Sequence, residues 1–189
     1  MRVKRLVSFW VVAILAGGIM TNSVASTNEE LPTVAHVDLN RYAGKWYEIA
    51  RYPNRFQKDC AGDASATYTL RPDGTVEVVN ECRSKEGKTK RAVGTAKVTD
   101  GASNSKLKVT FFWPFYGKYW ILELGPEYEY AVVGEPSRKY VWILSRKPRM
   151  DQSVYEGLAK KIANAGYDPA KLVRTPQSGP LSGWDPSVP

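Results

Sequence analysis

The 189-residue sequence holds one histidine (His36), two cysteines and three methionines. A Ser-His-Asp site would have to use His36, which precedes every predicted strand, and a cysteine nucleophile would find no second histidine as its base. One histidine and two cysteines at no recognised spacing exclude a zinc site, so neither a metal nor a cofactor is expected. There is no internal repeat. The one long apolar run, Leu6 to Met20, is about fifteen residues, short of the roughly 20 that a spanning helix needs.

That run follows Arg2, Lys4 and Arg5 and precedes Ser23-Val24-Ala25, small residues at the −3 and −1 positions of a signal-peptidase site. Residues 1–25 therefore read as a signal peptide cut after Ala25, the alternative being an uncleaved anchor. No cysteine lies near the run to form a lipobox, so an exported, periplasmic or secreted soluble protein is expected, with outer-membrane association left open. The remaining ~164 residues fit one domain with a sizeable core. Without Arg2, Lys4 and Arg5 the formal charge falls from +8 to +5, a modest basic excess whose placement matters more than its size. An even cysteine count in an oxidising compartment predicts one disulfide, Cys60–Cys82.

Residues 26–34 are polar and read as a flexible leader. Short strand-like segments follow, at 46–52, 62–70, 75–82, 92–98, 107–113, 118–124, 128–133 and 140–146. Their spacing, with turn residues between them, predicts an all-β barrel or sandwich. Arg71-Pro72-Asp73-Gly74-Thr75 reads as a type I turn with Gly74 left-handed, a register that pairs residues summing to 146. Leu107, Val109, Phe111 and Trp113 alternate with Lys106, Lys108 and Thr110, so the apolar set points inward. The segments at 119–124 and 128–133 are apolar on both faces, and their inward sets stay open. Asp151 caps a helix whose stripe is Val154, Tyr155, Leu158, Ile162 and Ala165, with Gly166 past its end. Residues 178–189, rich in proline, glycine and small polar residues, read as a disordered tail.

Two motifs carry a family resemblance: Gly44-Lys45-Trp46-Tyr47-Glu48-Ile49-Ala50-Arg51 with its extension to Gln57, and Gly134-Glu135-Pro136 through Trp142-Ile143-Leu144-Ser145-Arg146. Together with the strand meander and single helix, they resemble the lipocalins, and within them the bacterial outer-membrane branch, similar to apolipoprotein D. The resemblance spans about Val37 to Gln177 and implies an eight-stranded antiparallel up-and-down barrel over 35–177, with one C-terminal helix outside. It also implies binding of a small hydrophobic ligand, a fatty acid or lysophospholipid, for transport, storage or envelope maintenance. The family's middle motif, usually Thr-Asp-x-x-Tyr, is replaced here by Gly125-Pro126-Glu127-Tyr128-Glu129-Tyr130.

In such a barrel Trp46 and Arg146 stack as a plug at the closed end. The opposite loops, 53–60, 83–90, 114–118 and 134–139, then carry nine cations against Asp59, Glu86 and Glu135, about +6, while the closed-end turns carry about −2. A basic, aromatic rim over an apolar cup suits an acyl chain with an anionic head. The expected ligand-binding residues are Tyr52, Phe56, Tyr68, Val78, Phe111, Trp113, Phe115, Tyr116, Arg138 and Trp142. Glu48 would face inward near the base and needs a partner, Arg146 or a tyrosine hydroxyl. The 146 register sets Cys82 opposite Ala64, so the chain before Gly62 must fold back to let Cys60 reach it. The rim fits peripheral contact with an anionic membrane surface, and the protein a monomer or homodimer; nucleic acid is not an expected partner. The rival functions are a solidly packed barrel serving as an envelope interaction protein and a lipocalin-type enzyme using a free cysteine. Non-enzymatic binding is the favoured reading.

Overall fold

The computed structural model describes residues 30–178; the predicted signal peptide, residues 26–29 of the leader and residues 179–189 of the tail lie outside them. A one-turn helix, α1 (Leu39–Tyr42), leads into β1 (Gly44–Arg51). Seven further long strands follow: β2 (Cys60–Leu70), β3 (Val76–Ser84), β4 (Thr89–Val98), β5 (Lys106–Phe112), β6 (Phe115–Leu124), β7 (Tyr130–Gly134) and β8 (Val141–Ser145). Helix α2 (Gln152–Asn164) and a two-residue strand, β9 (Val173–Arg174), complete the chain's described part. From β1 to β8 each strand pairs antiparallel with its sequence neighbour, and β1 also pairs with β8, so the sheet closes into a barrel, with β9 added beside β1.

The turn chemistry sets the register as expected. Gly74 takes φ +77°, and Leu70↔Val76, Tyr68↔Val78 and Ala66↔Asn80 pair at the predicted sum. Higher on β2, irregularities between Cys60 and Gly62 and between Gly62 and Ser65 shift the ladder. They bring the Cα atoms of Cys60 and Cys82 within 5.7 Å, and the disulfide forms. The chain before Gly62 folds back, and it does so inside the strand.

Two apolar layers share the wall. The inner one gathers Trp46, Tyr42, Tyr68, Val78, Ala96, Leu107, Ile121, Val133 and Leu144. The outer one packs Ile49, Tyr52, Leu122, Val132 and Ile143 under Leu158 and Ile162 of α2. Burying such side chains contributes about 1.5–3 kcal/mol each, enough to hold the amphipathic helix to the barrel.

The described part of the predicted leader is packed against the barrel. Leu31 is buried in the outer layer, Thr33 accepts a hydrogen bond from Ser105, and the Val34 amide donates to Ile121 O at 3.0 Å. The predicted leader is thus anchored from Leu31 onward, because its lone leucine finds the groove beside β6. At the other end the Thr175 amide donates to Ile49 O, the Asp63 amide to Pro176 O, and the Ser178 amide to Asp63. The Gln177 amide group bridges Glu48 O and Ala64 O. β1 and β2 pair only from Gly44 to Tyr47, so above that level this segment fills the seam between them.

Candidate functional site

The closed end is built on Trp46, which is fully buried and donates its indole N–H to Tyr42 O at 2.8 Å. The Arg146 guanidinium lies 3.9 Å from the Trp46 ring centroid. It donates to the carbonyls of Arg41, Tyr42, Lys45 and Tyr128, tying α1, β1 and the β6–β7 turn across the floor. Gly44, at φ +94°, leaves room for it, since a Cβ there would sit 3.3 Å from Arg146 Nη1. The side chains the floor recruits are structural: they bond each other and the backbone.

Above the plug three tyrosine hydroxyls meet, with Tyr119 Oη 2.7 Å from Tyr42 Oη and 2.9 Å from Tyr68 Oη. Burial pushes the Tyr68 hydroxyl up to about 12 and those of Tyr42 and Tyr119 well above the usual phenol value. With Val78, Leu107 and Leu144 these rings fill the lower barrel.

One level higher a polar belt crosses the β1–β8 side. Glu48 accepts from Arg51 at 3.1 Å, from Gln57 at 2.6 Å and from the Thr175 hydroxyl; Gln57 accepts in turn from the Trp142 indole at 3.1 Å. Glu48 is therefore inward and partnered as it must be, but by Arg51, Gln57 and Thr175, not by Arg146 or a tyrosine. Arg146 is spent on the floor.

From there to the rim the inner face opens. Asn80 and Ala92, paired across β3 and β4 on the face of Val78 and Ala96, are exposed, as is Phe111 beyond Leu107 and Val109. Gly94 lies beneath the Phe111 ring, where a Cβ would meet Cδ1 at 2.8 Å. The cup is shallow: packed below, open above.

The rim carries the aromatics. Phe112, Trp113 and Phe115 at the β5–β6 tip are 75%, 77% and 71% exposed, with Phe112 and Phe115 stacked. Phe56, on the first loop, is exposed as well, its ring 5.6 Å from Tyr140, which stacks on Trp142. Lys90 and Arg83 are paired with Asp59 and Asp63, while among the described residues Lys58, Lys85, Lys88 and Lys139 make no ion pair.

Three expected binding residues do not face the cup. Tyr52 is buried in the outer layer and donates to Asp168 O, because the ladder slips between Glu48 and Ala50 and reverses the parity of the residues beyond it. The same slip turns Arg51 inward opposite Trp142, a residue that simple alternation places outside. Tyr116 is on the outer face, since Gly117 pairs with inward Val109, and its ring lies 5.1 Å from Lys108 Nζ. Arg138, at φ +56°, donates to Ala165 O and so neutralises the C-terminus of α2. Tyr52, Arg138, Lys139 and Lys171 border a groove of about 610 Å³ outside the wall, not the barrel interior. Tyr68 and Val78 form the floor, Phe56, Phe111, Trp113 and Phe115 the rim, and Trp142 the wall between. Alternation missed Arg51, Gln57, Thr175 and Tyr119; only Tyr119, a tyrosine among apolar neighbours, left a signal.

Residues 37–177 match the profile of the lipocalin-like domain family. The chain is similar to temperature-induced lipocalin-1 of Arabidopsis thaliana, 44% identical over 158 residues, 79% of this chain and 84% of that one. It is similar to the outer membrane lipoprotein Blc of Escherichia coli K12, 38% identical over 147 residues, 77% and 82% of the two chains. Mouse apolipoprotein D is 32% identical over 158 residues, 78% and 80%. Among solved structures, insecticyanin of the tobacco hornworm Manduca sexta superposes with a TM-score of 0.64 at 21% identity, covering 79% of this chain and 86% of that one. At that identity the likeness concerns the fold alone.

Proposed function

The chain belongs to the lipocalin-like family, and from that premise we propose that it binds a single-chain amphiphile, a fatty acid or lysophospholipid, tail in the cup and anionic head among the mouth cations. The observation that carries this reading is the half-open interior: a sealed floor at Trp46 beneath an inner face exposed at Asn80, Ala92 and Phe111. On the inner face of β3, Val78 is buried towards the floor and Asn80 beyond it is exposed. Each methylene buried there contributes about 0.8 kcal/mol, so about ten of them outweigh the lower estimates of the cost of association.

The reading is non-enzymatic. Cys60 and Cys82 are bonded to each other, which removes the thiol an enzyme of this architecture would use. Mass spectrometry of lipid extracted from the purified protein, with quenching of tryptophan emission by added palmitate, tests the proposal. Stoichiometric lipid and saturable quenching are expected; neither lipid nor quenching would leave a packed interaction protein instead.

The rim supports contact with an anionic bilayer as the place of loading. Trp113 and its phenylalanine neighbours are exposed at the β5–β6 tip, and on the same two strands Lys108 lies over Tyr116 and pairs with Lys118, the combination of aromatic and cation that favours the headgroup boundary. Co-sedimentation with vesicles containing phosphatidylglycerol should exceed that with phosphatidylcholine vesicles and fall in Trp113→Ser. Equal binding to both would remove the membrane from the reading.

A further inference from the structure

The tyrosine cluster at the floor does not balance. A phenol brings one proton and two lone pairs. Tyr42, Tyr68 and Tyr119 therefore bring three protons to two mutual hydrogen bonds, and no other protein acceptor among the described residues meets their hydroxyls. One proton is left over. Ionisation does not remove it, because burial holds all three phenols protonated at neutral pH. Leaving such a donor unpaired costs about 1–3 kcal/mol.

One arrangement of the two bonds frees that proton at the centre of the cluster. Tyr119 is central, bonded to both others, while Tyr42 and Tyr68 each meet Tyr119 alone. When Tyr42 and Tyr68 both donate to Tyr119, the surplus proton sits on Tyr119. Tyr119 pairs with Leu107 on the inner face and is the member of the cluster whose residue keeps partial exposure. The charge nearby is already engaged: Arg146, whose charge Tyr42 feels, donates to four backbone carbonyls of the floor, and higher on β1 Arg51 is paired with Glu48 through Nη1, its buried Nε alone left without a partner. A charged acceptor would lose its water at this depth without gaining a counter-ion, so the fitting acceptor is neutral.

We propose that the cup floor is a donor site, through the Tyr119 hydroxyl, for a neutral carbonyl oxygen at the leading end of an apolar ligand, the chemistry of a ketone or a quinone. This rests on the ligand-binding reading above and narrows it: a chain bearing an oxygen at its inner end is held better than its hydrocarbon counterpart. Anionic heads stay at the rim, where the lysines are.

Isothermal titration of the whole protein with 2-methyl-1,4-naphthoquinone and with 2-methylnaphthalene, which share one skeleton, tests this. Tyr119→Phe should weaken the quinone by about five- to tenfold, the worth of one neutral hydrogen bond, and leave the naphthalene within about twofold. Tyr42→Phe should preserve the difference, since Tyr68 can donate to Tyr119 in its absence. The carbonyl stretch of the bound quinone should lie lower in the wild type than in Tyr119→Phe. Equal losses for both probes, or none, would mean that the hydroxyl serves packing or an ordered water only, and would overturn the proposal. If neither probe binds while palmitate still does, the donor site fails and the carrier reading stands; if palmitate fails too, both fall.

Discussion

Arg146 shows what one residue does when its geometry is used in full. Its planar fork reaches backbone carbonyls on α1, on β1 and before β7 while its face lies on Trp46. A lysine ammonium has the charge but neither the plane nor the fork. Arg146→Lys should lower stability by about 2–3 kcal/mol, two or more charge-assisted hydrogen bonds being lost, as read by urea unfolding. Lipid binding by the folded fraction should be unchanged, which separates floor from function. The tyrosines make a second prediction. The folded-state value of Tyr68 is raised to about 12 from 10.0, and burial raises Tyr42 and Tyr119 as well. The folded state thus keeps protons that the unfolded chain releases above pH 10, so stability is full below 10 and falls as pH climbs from 10 to about 12. Each such group steepens the fall by about 1.4 kcal/mol per pH unit. Denaturant midpoints across that window should drop, and Tyr119→Phe should make the drop shallower.

At the scale of elements, the seam between β1 and β2 is the least expected part of the barrel. Pairing stops at Tyr47, and residues 173–178 supply the missing partner: Thr175 bonds Ile49 O, and Gln177 holds both strand backbones with one amide. Gln177→Ala removes that clamp without touching either core. The amides of Asp63 and Thr175 should then exchange with deuterium at least tenfold faster, while the midpoint of global unfolding barely moves; unchanged exchange would mean the strap holds by its backbone alone. Turn residues and alternation made most of the other elements legible beforehand. Gly74 dictated the β2–β3 register, and the Leu158–Ile162 stripe marked the face of α2 that packs. What alternation could not show was the slip at Ile49, one extra residue in β1 that sends Tyr52 outside and Arg51 inside. No residue type announces such a bulge. Nor could periodicity show that a segment some 130 residues away would partner Glu48, because that contact exists only once the barrel has closed.

For the whole molecule the decisive feature is the polarity of the barrel axis. One end is sealed by Trp46 under Arg146; the other carries the exposed Phe56 and the Phe112–Phe115 stack, with Lys58, Lys85 and Lys88 on its loops. Two of the mouth cations, Arg83 and Lys90, are cancelled by Asp63 and Asp59, so the field rests on the others. If that field holds anionic heads, its effect must be confined to one end, since charges more than about 8 Å apart are largely screened at physiological salt. Lys85→Glu with Lys88→Glu should therefore weaken palmitate binding several-fold at low salt, and the difference should shrink as salt rises. Lys45→Glu with Lys97→Glu, the same double reversal beside the closed end, should leave the affinity where it was. A neutral ligand such as 1-hexadecanol should respond to neither. Equal losses from the two ends would point to net charge, and no loss from either would mean that the rim lysines serve solubility, with the cup's apolar wall alone selecting what enters.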